Sequence, residues 1–429
     1  MMASAKAPDG RSFIEVLLSL IGLPGQYHNN ELKDEIEIIE SVLQKPKGGV
    51  SMSVVHRRLR GMHLDIFICA DDGQVYAARS SESYFASADL KGWLCLPTPP
   101  DKTFPPGAPV AALSRKPSQL DLFICGNDGH VYTTWWNTDS GWHYKWRDIG
   151  GDFLPGTRIS AVARNPEHLD VFASAGNGNI YTCWWSKEAR LWTGPRGSSL
   201  TKWRDLGGAE HQKSASAANV AALSREPETL EIFFCGDAGQ VRYKKWTKGP
   251  GWDEEWTSLG KSPLVPGGFI TAVSRHEDQI DLFACGTDGK VYTSWSIFRK
   301  NLWSGNVRGW RCLEGGFKAG SQVSAVAREA EKLDLHVIGT GGLVYHLSWN
   351  STDRWGSWSE IGGSSDSNGH VECVVLDSST LQVFLATRKR EENEAIEVLM
   401  IRGKDNHRKI RFDEKKWKPL ETIPIPSFH

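Results

Sequence analysis

Tryptophan is the residue type in this chain best placed to do chemistry, because an indole combines a broad apolar face with one N–H donor. All nineteen tryptophans lie from Trp93 onward. Such rings stack on sugars, fill interfaces and pack in cores. One group stands at the ends of apolar runs: Trp135, Trp136, Trp184, Trp185, Trp246, Trp295 and Trp349. A second group follows in loops and short runs: Trp142, Trp146, Trp192, Trp203, Trp252, Trp256, Trp303, Trp310, Trp355 and Trp358. We expect a mixture of core and groove positions.

Arginine and an acidic residue recur together, six positions apart. The pairs are Arg115 and Asp121, Arg164 and Asp170, Arg225 and Glu231, Arg275 and Asp281, and Arg328 and Asp334. In the first copy of this pattern the arginine, Arg58, is shifted by one position. A catalytic centre is normally singular, so five matched pairs predict structural ion pairs. A ligand role for the arginines stays open, since a guanidinium also donates hydrogen bonds to hydroxyl groups.

Sequence motifs of catalysis and metal binding are missing. The thirteen histidines include no His-Glu-x-x-His, and no Gly-x-Ser-x-Gly elbow or Cys-x-x-Cys pair occurs. A carboxylate pair for glycoside hydrolysis stays open, although no two acids stand out. The sequence therefore predicts no metal, no cofactor and no catalytic residues.

An internal repeat positions these residues. Its turn glycines, spaced by roughly 50 residues, are Gly73, Gly129, Gly178, Gly239, Gly289 and Gly342. Self-similarity at this period is typical of β-propeller blades, which extend the fold by adding units. Six copies keep the pattern, and a degraded seventh lies around Leu381. The sequence therefore predicts an all-β fold, a seven-bladed β-propeller. Six blades plus a divergent cap is the alternative.

Each blade is predicted to contain four antiparallel strands. In the second copy, Val110–Leu113 is the apolar innermost strand and Leu120–Cys125 the second. Residues 127–129 (Asn-Asp-Gly) favour a tight hairpin turn. His130–Trp136 and Trp146–Ile149 are the third and fourth strands. Strand alternation sends the side chains of Trp135 and Trp136 to opposite faces.

The seventh copy keeps enough strands for a full blade. They are Val371–Leu376, Leu381–Ala386, Ile396–Ile401 and Lys409–Phe412. The ring is thus expected to close without a borrowed N-terminal strand. The sequence predicts a short helical extension over residues 1–49 and the propeller over residues 50–429. The extension is interpreted as a hairpin docked on the propeller or on another subunit, and a targeting or effector role is the alternative.

Composition narrows the function classes. The formal net charge of −1 provides no basic field for nucleic acid or an anionic membrane. No apolar run approaches the roughly 18 residues of a membrane span, and no secretory cleavage site is evident. The eight cysteines are expected to be reduced, because the equivalents Cys69, Cys125, Cys235 and Cys285 would lie in separate blades. We expect a cytoplasmic protein or one released without a conventional signal peptide.

One family shows the same blade pattern. Trp146–Gly156, Ile159–Asn165, Leu169–Phe172 and Ile180–Trp185 resemble a blade of the Photorhabdus-type (PLL-like) seven-bladed propeller lectins. The resemblance covers about residues 50–365 and is absent from 1–49. It implies a carbohydrate-binding protein that holds fucose-type or O-methylated monosaccharides between adjacent blades. It also implies glycan partners, no cofactor and assembly into homo-oligomers.

The second, third and fifth blades carry the resemblance best. The pockets it implies are built around these residues: Trp135, Trp146, Trp184, Trp203 and Trp295, with Thr134 and Ser294. Blade 1 lacks a tryptophan at the end of its third strand, and blade 4 has Arg242 in place of a tyrosine. Equal binding in every blade is therefore not expected. The alternatives to a lectin are a propeller scaffold for protein partners and an enzyme acting on glycans.

Overall fold

Seven antiparallel sheets form the blades of a β-propeller. The computed structural model describes residues 51–58, 62–81, 89–90, 93–99, 103–190, 192–193, 203–208, 218–297, 302–365, 369–388, 396–405, 410–412, 416–419 and 421–422. The predicted helical extension of residues 1–49 lies outside the described residues. The seven-bladed prediction is confirmed, and the alternative of six blades plus a cap is wrong.

Blades 1 to 3 use the first fifteen strands. Blade 1 contains β1 (Met52–Arg58), β2 (Met62–Cys69), β3 (Val75–Ser81) and β5 (Leu94–Leu96), with β4 (Asp89–Leu90) outside its sheet. Blade 2 contains β6 (Ala111–Lys116), β7 (Gln119–Cys125), β8 (Val131–Asn137), β9 (Gly141–Trp142) and β10 (Arg147–Asp148). Blade 3 contains β11 (Ser160–Asn165), β12 (His168–Ser174), β13 (Ile180–Ser186), β14 (Trp192–Thr193) and β15 (Arg204–Asp205).

Blades 4 to 7 repeat this plan. Blade 4 contains β16 (Val220–Leu223), β17 (Thr229–Cys235), β18 (Val241–Thr247), β19 (Gly251–Trp252) and β20 (Thr257–Ser258). Blade 5 contains β21 (Thr271–His276), β22 (Gln279–Cys285), β23 (Val291–Ile297), β24 (Leu302–Trp303) and β25 (Arg311–Cys312), with helix α1 (Ser304–Arg308) after β24. Blade 6 contains β26 (Ser324–Glu329), β27 (Lys332–Ile338), β28 (Val344–Asn350), β29 (Arg354–Trp355) and β30 (Ser359–Gly362). Blade 7 contains β31 (His370–Asp377), β32 (Thr380–Arg388), β33 (Ile396–Asp405), β34 (Ile410–Phe412) and β35 (Lys418–Pro419).

The outer edge of blade 2 contains a short strand that the sequence did not predict. The fourth strand, predicted over Trp146–Ile149, is present as β10, and β9 lies beside it on the same edge. Strand β9 pairs with the end of β8, and β10 pairs with its beginning. Between them the chain leaves the sheet, and the returning segment carries Trp146 toward blade 1.

The ring closes through its innermost strands. The first strand of each blade contacts the first strands of both neighbours, and β31 of blade 7 contacts β1 of blade 1. Near the C-terminus, β36 (Glu421–Thr422) pairs in parallel with β4. Each described strand of blade 7 therefore comes from the C-terminal part of the chain, as the sequence predicted.

The core lies between neighbouring blades. Side chains from the facing surfaces of two blades form each cluster, as where Phe123 of blade 2 packs with Val171 of blade 3. The hairpin turns contribute to this packing through glycine. Gly129 has a φ of 77°, and a Cβ there would lie 2.4 Å from the carbonyl oxygen of Phe153. Any side chain at this turn would therefore collide with the linker into blade 3.

Blade 6 replaces a core phenylalanine with histidine. The position filled by Phe123 in blade 2 and Phe283 in blade 5 is His336 in blade 6. Its side chain is fully buried, and neither ring nitrogen has a hydrogen-bond partner. Burial, and secondarily the neighbouring His346, holds the pKa of His336 well below its usual value. Its protonated form is therefore strongly disfavoured in the folded protein.

Acid should destabilise this blade through His336. The unfolded chain binds a proton at this residue below about pH 6.5, and the folded protein does not. His336→Phe should therefore gain stability over the wild type by about 1.4 kcal/mol per pH unit as the pH falls from 6.5. Urea unfolding at pH 7 and pH 5 measures this difference. The exposed His276, changed to Phe, is the control. An equal difference between wild type and His336→Phe at both pH values would contradict the explanation.

Candidate functional site

The nineteen tryptophans fall into four structural classes. The first has one member per blade, ahead of the last short strand: Trp93, Trp146, Trp203, Trp256, Trp310, Trp358 and Trp417. Five of these donate the indole N–H to a backbone carbonyl of the preceding blade, as Trp203 does to Ile149 at 3.2 Å. These rings join neighbouring blades.

Two of the predicted site residues belong to this joining class. Trp146 is 8% exposed and packs edge-on against Phe104, with ring centroids 5.1 Å apart. Trp203 is 2% exposed and packs in the same way against Phe153. The structure therefore places both in the core between blades. Their predicted contact with sugar stays a prediction.

The second class also packs between blades. Its members, Trp142, Trp192, Trp252, Trp303 and Trp355, follow the hairpin after the third strand. Each ring meets a phenylalanine of the preceding blade edge-on, with centroids 5.4 to 5.9 Å apart. Edge-to-face geometry at this distance stabilises aromatic pairs. This class is therefore part of the construction of the ring.

The predicted arginine–acid pairs are confirmed as ion pairs. In blade 2, Nε of Arg115 donates to Asp121 at 2.7 Å, and Nη1 donates to the carbonyl of Pro166 in blade 3 at 3.4 Å. In blade 1, Asp65 accepts from Arg57 at 2.7 Å and also from Arg79 at 2.6 Å. The sequence named Arg58 as the recurring arginine of this copy, shifted by one position, whereas the structure places Arg57 there and Arg58 donates to the carbonyl of Leu376.

The remaining tryptophans stand at the ends of third strands and lie near these ion pairs. The third class is Trp135, Trp184 and Trp295, and the fourth class is Trp136, Trp185, Trp246 and Trp349. Trp135 lies directly opposite Asp121 in the ladder of β7 and β8, so the two side chains share a face of blade 2. The guanidinium of Arg115, bound to the same Asp121, lies 4.5 Å from the ring centroid of Trp185 in blade 3. One cleft between blades 2 and 3 therefore contains an ion pair and a tryptophan from each blade.

The same arrangement occurs twice more. Between blades 3 and 4, Trp184 lies opposite Asp170, and Arg164 lies 4.3 Å from the ring of Trp246. Between blades 5 and 6, Trp295 lies opposite Asp281, and Arg275 lies 4.4 Å from the ring of Trp349. We call these three sites the tryptophan clefts. Their tryptophans, none of them fully buried, are Trp135, Trp185, Trp184, Trp246, Trp295 and Trp349.

The opposite orientation of adjacent tryptophans is confirmed. Trp136 contacts Arg57 and Arg79 of blade 1, whereas Trp135 shares the face of Asp121 toward blade 3. Three predicted residues, Trp135, Trp184 and Trp295, lie in the clefts. The prediction missed their partners across each cleft, Trp185, Trp246 and Trp349. Strand alternation places each of these partners on the opposite face of its own blade, but which residues it meets there depends on the neighbouring blade.

Thr134 and Ser294 lie behind the clefts. Both are buried, with 1% and 0% exposure. The hydroxyl of Thr134 donates to the carbonyl of His143. The hydroxyl of Ser294 accepts from the backbone N–H of Gly305 at 3.0 Å. They hold the returning outer segment against the third strand, and their predicted contact with sugar stays a prediction.

The clefts contain balanced charge. Burial raises the pKa of Asp170 to about 6, while Arg164 acts in the opposite direction. Burial also raises the pKa of Asp121 and of Asp281 against their own arginines. Above about pH 6 the Asp170 carboxylate is charged, so it and its arginine cancel. Between blades 3 and 4, Glu228 also lies 3.6 Å from Arg164 and 3.7 Å from Lys248, so the four charges there cancel as well. Each tryptophan cleft thus presents aromatic surface around charges that cancel, which suits an uncharged ligand.

The remaining blade interfaces depart from this pattern. The strand position that Trp135 fills in blade 2 is occupied by Arg79 in blade 1, Lys245 in blade 4 and Ser348 in blade 6. Trp136 has Ser296 as its equivalent in blade 5. Among the described residues, no group of three or more histidine, cysteine, aspartate or glutamate side chains is arranged to hold a metal ion. No helix in the described part of the chain is long and apolar enough to cross a membrane.

The fold and these sites define the class: a seven-bladed β-propeller with composite clefts between blades. No protein-family model and no curated protein sequence matches the chain. Among solved structures, the chain is similar to the BP39L lectin from Burkholderia pseudomallei, with a TM-score of 0.69 and 18% identity over 86% of this chain and 99% of that one. This similarity supports the propeller fold that the sequence resemblance implied.

Two further structures show weaker similarity. The SapL1 lectin in complex with alpha methyl fucoside has a TM-score of 0.44 and 16% identity over 74% of this chain and 96% of that one. The fucose-specific lectin from Aleuria aurantia has a TM-score of 0.45 and 10% identity over 86% of this chain and 96% of that one.

Proposed function

We propose that this protein is a multivalent lectin that binds neutral monosaccharides in its three tryptophan clefts. The observation that carries the proposal is the repeated site itself. Each cleft combines two partly exposed indoles from different blades with an arginine–aspartate ion pair, and between blades 3 and 4 Glu228 and Lys248 extend that pair into a network of four charges that cancel. Indole faces stack on the C–H faces of sugars, and the guanidinium offers directional donors beside them.

The likeness in fold to a lectin supports the same conclusion. The sugar class we propose, fucose-type or O-methylated monosaccharides, follows from the resemblance of the blade sequence to PLL-like lectins. Methyl groups add apolar surface, which aromatic walls bury favourably. Three weak sites on one rigid ring would also raise the avidity for a multivalent glycan without any new contact.

We propose binding without catalysis. Three equivalent clefts carry the same residues, whereas a catalytic centre normally breaks the symmetry of a repeat. A homo-oligomer, and location in the cytoplasm or release without a conventional signal peptide, belong to the same proposal. Protein scaffolding and glycan cleavage are the competing functions, and a binding experiment distinguishes them.

A glycan array probed with the full chain tests the proposal. The expected result is retention on fucosylated or O-methylated glycans, reversed by free L-fucose or its methyl glycoside. Fucosylated glycans incubated with the protein should stay intact by mass spectrometry. The absence of signal on every glycan would refute the lectin function, and release of cleaved sugar would favour the enzyme.

A further inference from the structure

The interface between blades 1 and 2 keeps the cleft pattern but exchanges one tryptophan for an arginine. Arg79 occupies in β3 the position that Trp135 occupies in β8, directly opposite the acidic residue Asp65. The other elements remain: Arg57 pairs with Asp65 at 2.7 Å, and Trp136 of blade 2 lies across the interface. We call this site, with residues Arg57, Asp65, Arg79 and Trp136, the arginine cleft.

Its charge is unbalanced. Nε of Arg57 and Nε of Arg79 donate to different oxygens of Asp65, at 2.7 and 2.6 Å. One carboxylate thus faces two guanidiniums, and these three side chains together carry a net charge of +1. Each tryptophan cleft instead pairs one arginine with one aspartate, and between blades 3 and 4 Glu228 adds a second acid 3.6 Å from Arg164. The arginine cleft therefore offers an uncompensated positive charge at the place where the other clefts offer an aromatic wall.

The excess charge is accessible. The side chain of Arg79 is 36% exposed, whereas those of Arg57 and Asp65 are 1% and 3% exposed. Among the described residues, none accepts a hydrogen bond from Nη1 or Nη2 of Arg79. The guanidinium is held in place by Asp65 and by the ring of Trp136, whose centroid lies 4.2 Å away. A positioned guanidinium whose two terminal nitrogens donate to no described residue matches the two oxygens of a carboxylate.

We infer that the arginine cleft binds an acidic saccharide, a sugar ring that carries a carboxylate, as in uronic acids. The carboxylate would accept from Nη1 and Nη2 of Arg79, and the ring would lie in the groove between blades 1 and 2. This inference rests on the proposed lectin function, because the groove recognises a sugar only if its equivalents do. The chain would then carry three clefts for neutral sugars and one for acidic sugars.

Paired sugar probes test the inference. Methyl α-D-glucuronide and methyl α-D-glucoside differ only in a carboxylate and a hydroxymethyl group. By calorimetry, wild-type protein should bind the glucuronide at one site per chain, about tenfold or more tightly than the glucoside. Added salt should weaken binding of the glucuronide and leave binding of the glucoside unchanged, because ions screen the attraction between the carboxylate and Arg79. Equal affinity for the two probes would overturn the inference.

Substitution of Arg79 assigns the site. Arg79→Gln removes the charge while Asp65 keeps its bond to Arg57, so the buried carboxylate stays paired and the fold is expected to persist. This variant should lose the preference for the glucuronide. Arg79→Lys should keep only part of that preference, because an ammonium group lacks the two parallel N–H donors with which a guanidinium binds both oxygens of a carboxylate. Lys245→Gln, at the equivalent position of blade 4, is the matched control and should bind as the wild type does. Unchanged glucuronide affinity in Arg79→Gln would overturn the inference.

Two further probes separate the remaining outcomes. Inorganic sulfate that competes as well as the glucuronide would mark a general anion site and overturn the saccharide assignment. Methyl α-L-fucoside reports on the tryptophan clefts. Fucoside binding without glucuronide binding would refute the arginine cleft and leave the lectin proposal intact. Glucuronide binding that depends on Arg79, without fucoside binding, would support the arginine cleft and refute the tryptophan clefts.

Discussion

Replacing Trp135, Trp184 and Trp295 together by alanine is expected to abolish binding of neutral monosaccharides while the propeller stays folded. Each tryptophan forms one wall of a tryptophan cleft and is only partly buried, so its removal takes away stacking surface without opening the core. Loss of a central aromatic contact costs about 2 kcal/mol or more, which is roughly a thirtyfold loss of affinity at each site. Titration calorimetry with methyl α-L-fucoside measures the effect.

Equivalent positions in other blades supply the control. Lys245→Ala and Ser348→Ala change the same strand position in blades 4 and 6, where no tryptophan cleft exists. This double variant should bind as the wild type does. The triple tryptophan variant and this double variant should have the same circular dichroism spectrum and the same thermal unfolding temperature. Retained fucoside affinity in the triple tryptophan variant would contradict the assignment of the sites.

Removing one inter-blade arginine should destabilise the ring strongly. Arg115→Leu leaves Asp121 buried without its cation and removes the stacking of the guanidinium on Trp185. Breaking a buried pair by removing one partner costs about 3–5 kcal/mol. Burial raises the pKa of Asp121 even with Arg115 present, so the unpaired acid is expected to take up a proton at a higher pH. Urea unfolding at neutral pH measures the loss.

A double variant separates ion pairing from packing. Arg115→Leu combined with Asp121→Leu removes both charges, so it should recover much of the stability that the single change loses. Arg147, on the outer edge of the same blade, serves as the control when changed to leucine, because it belongs to no ion pair among the described residues. Equal stability of the single and double variants would show that the charge of Asp121 contributes nothing.

The sequence predicted the construction of the blades well, because that information is local and repeated. Period, turn glycines and apolar runs define seven four-stranded units, even in blade 7, where β31 to β33 cover their predicted ranges and β34 lies within its own. The six-residue spacing predicted the ion pairs, since it joins nearby positions on the two strands of one hairpin. The exception, Arg57 in place of Arg58, reflects a hairpin two residues longer, in which Arg57 precedes Asp65 by eight positions.

The division of the tryptophans could not be predicted in the same way. Whether a ring is buried depends on the neighbouring blade, about 50 residues away, and strand alternation says nothing about that neighbour. Nothing in the sequence distinguishes Trp146 and Trp203 from Trp135. In the structure they lie on the segment that returns toward the preceding blade, and they pack in the core between the two blades. Trp185, Trp246 and Trp349 can be assigned to the tryptophan clefts only from the structure, which shows each ring beside an arginine of the preceding blade.

The stoichiometry of saccharide binding tests the central claim most directly. Calorimetric titration of the wild-type chain with methyl α-L-fucoside should give three equivalent sites, one for each tryptophan cleft. The triple variant of Trp135, Trp184 and Trp295 should give none. A wild-type chain that binds no sugar, or binds with a stoichiometry that the triple variant retains, would contradict the claim that these clefts are sugar sites.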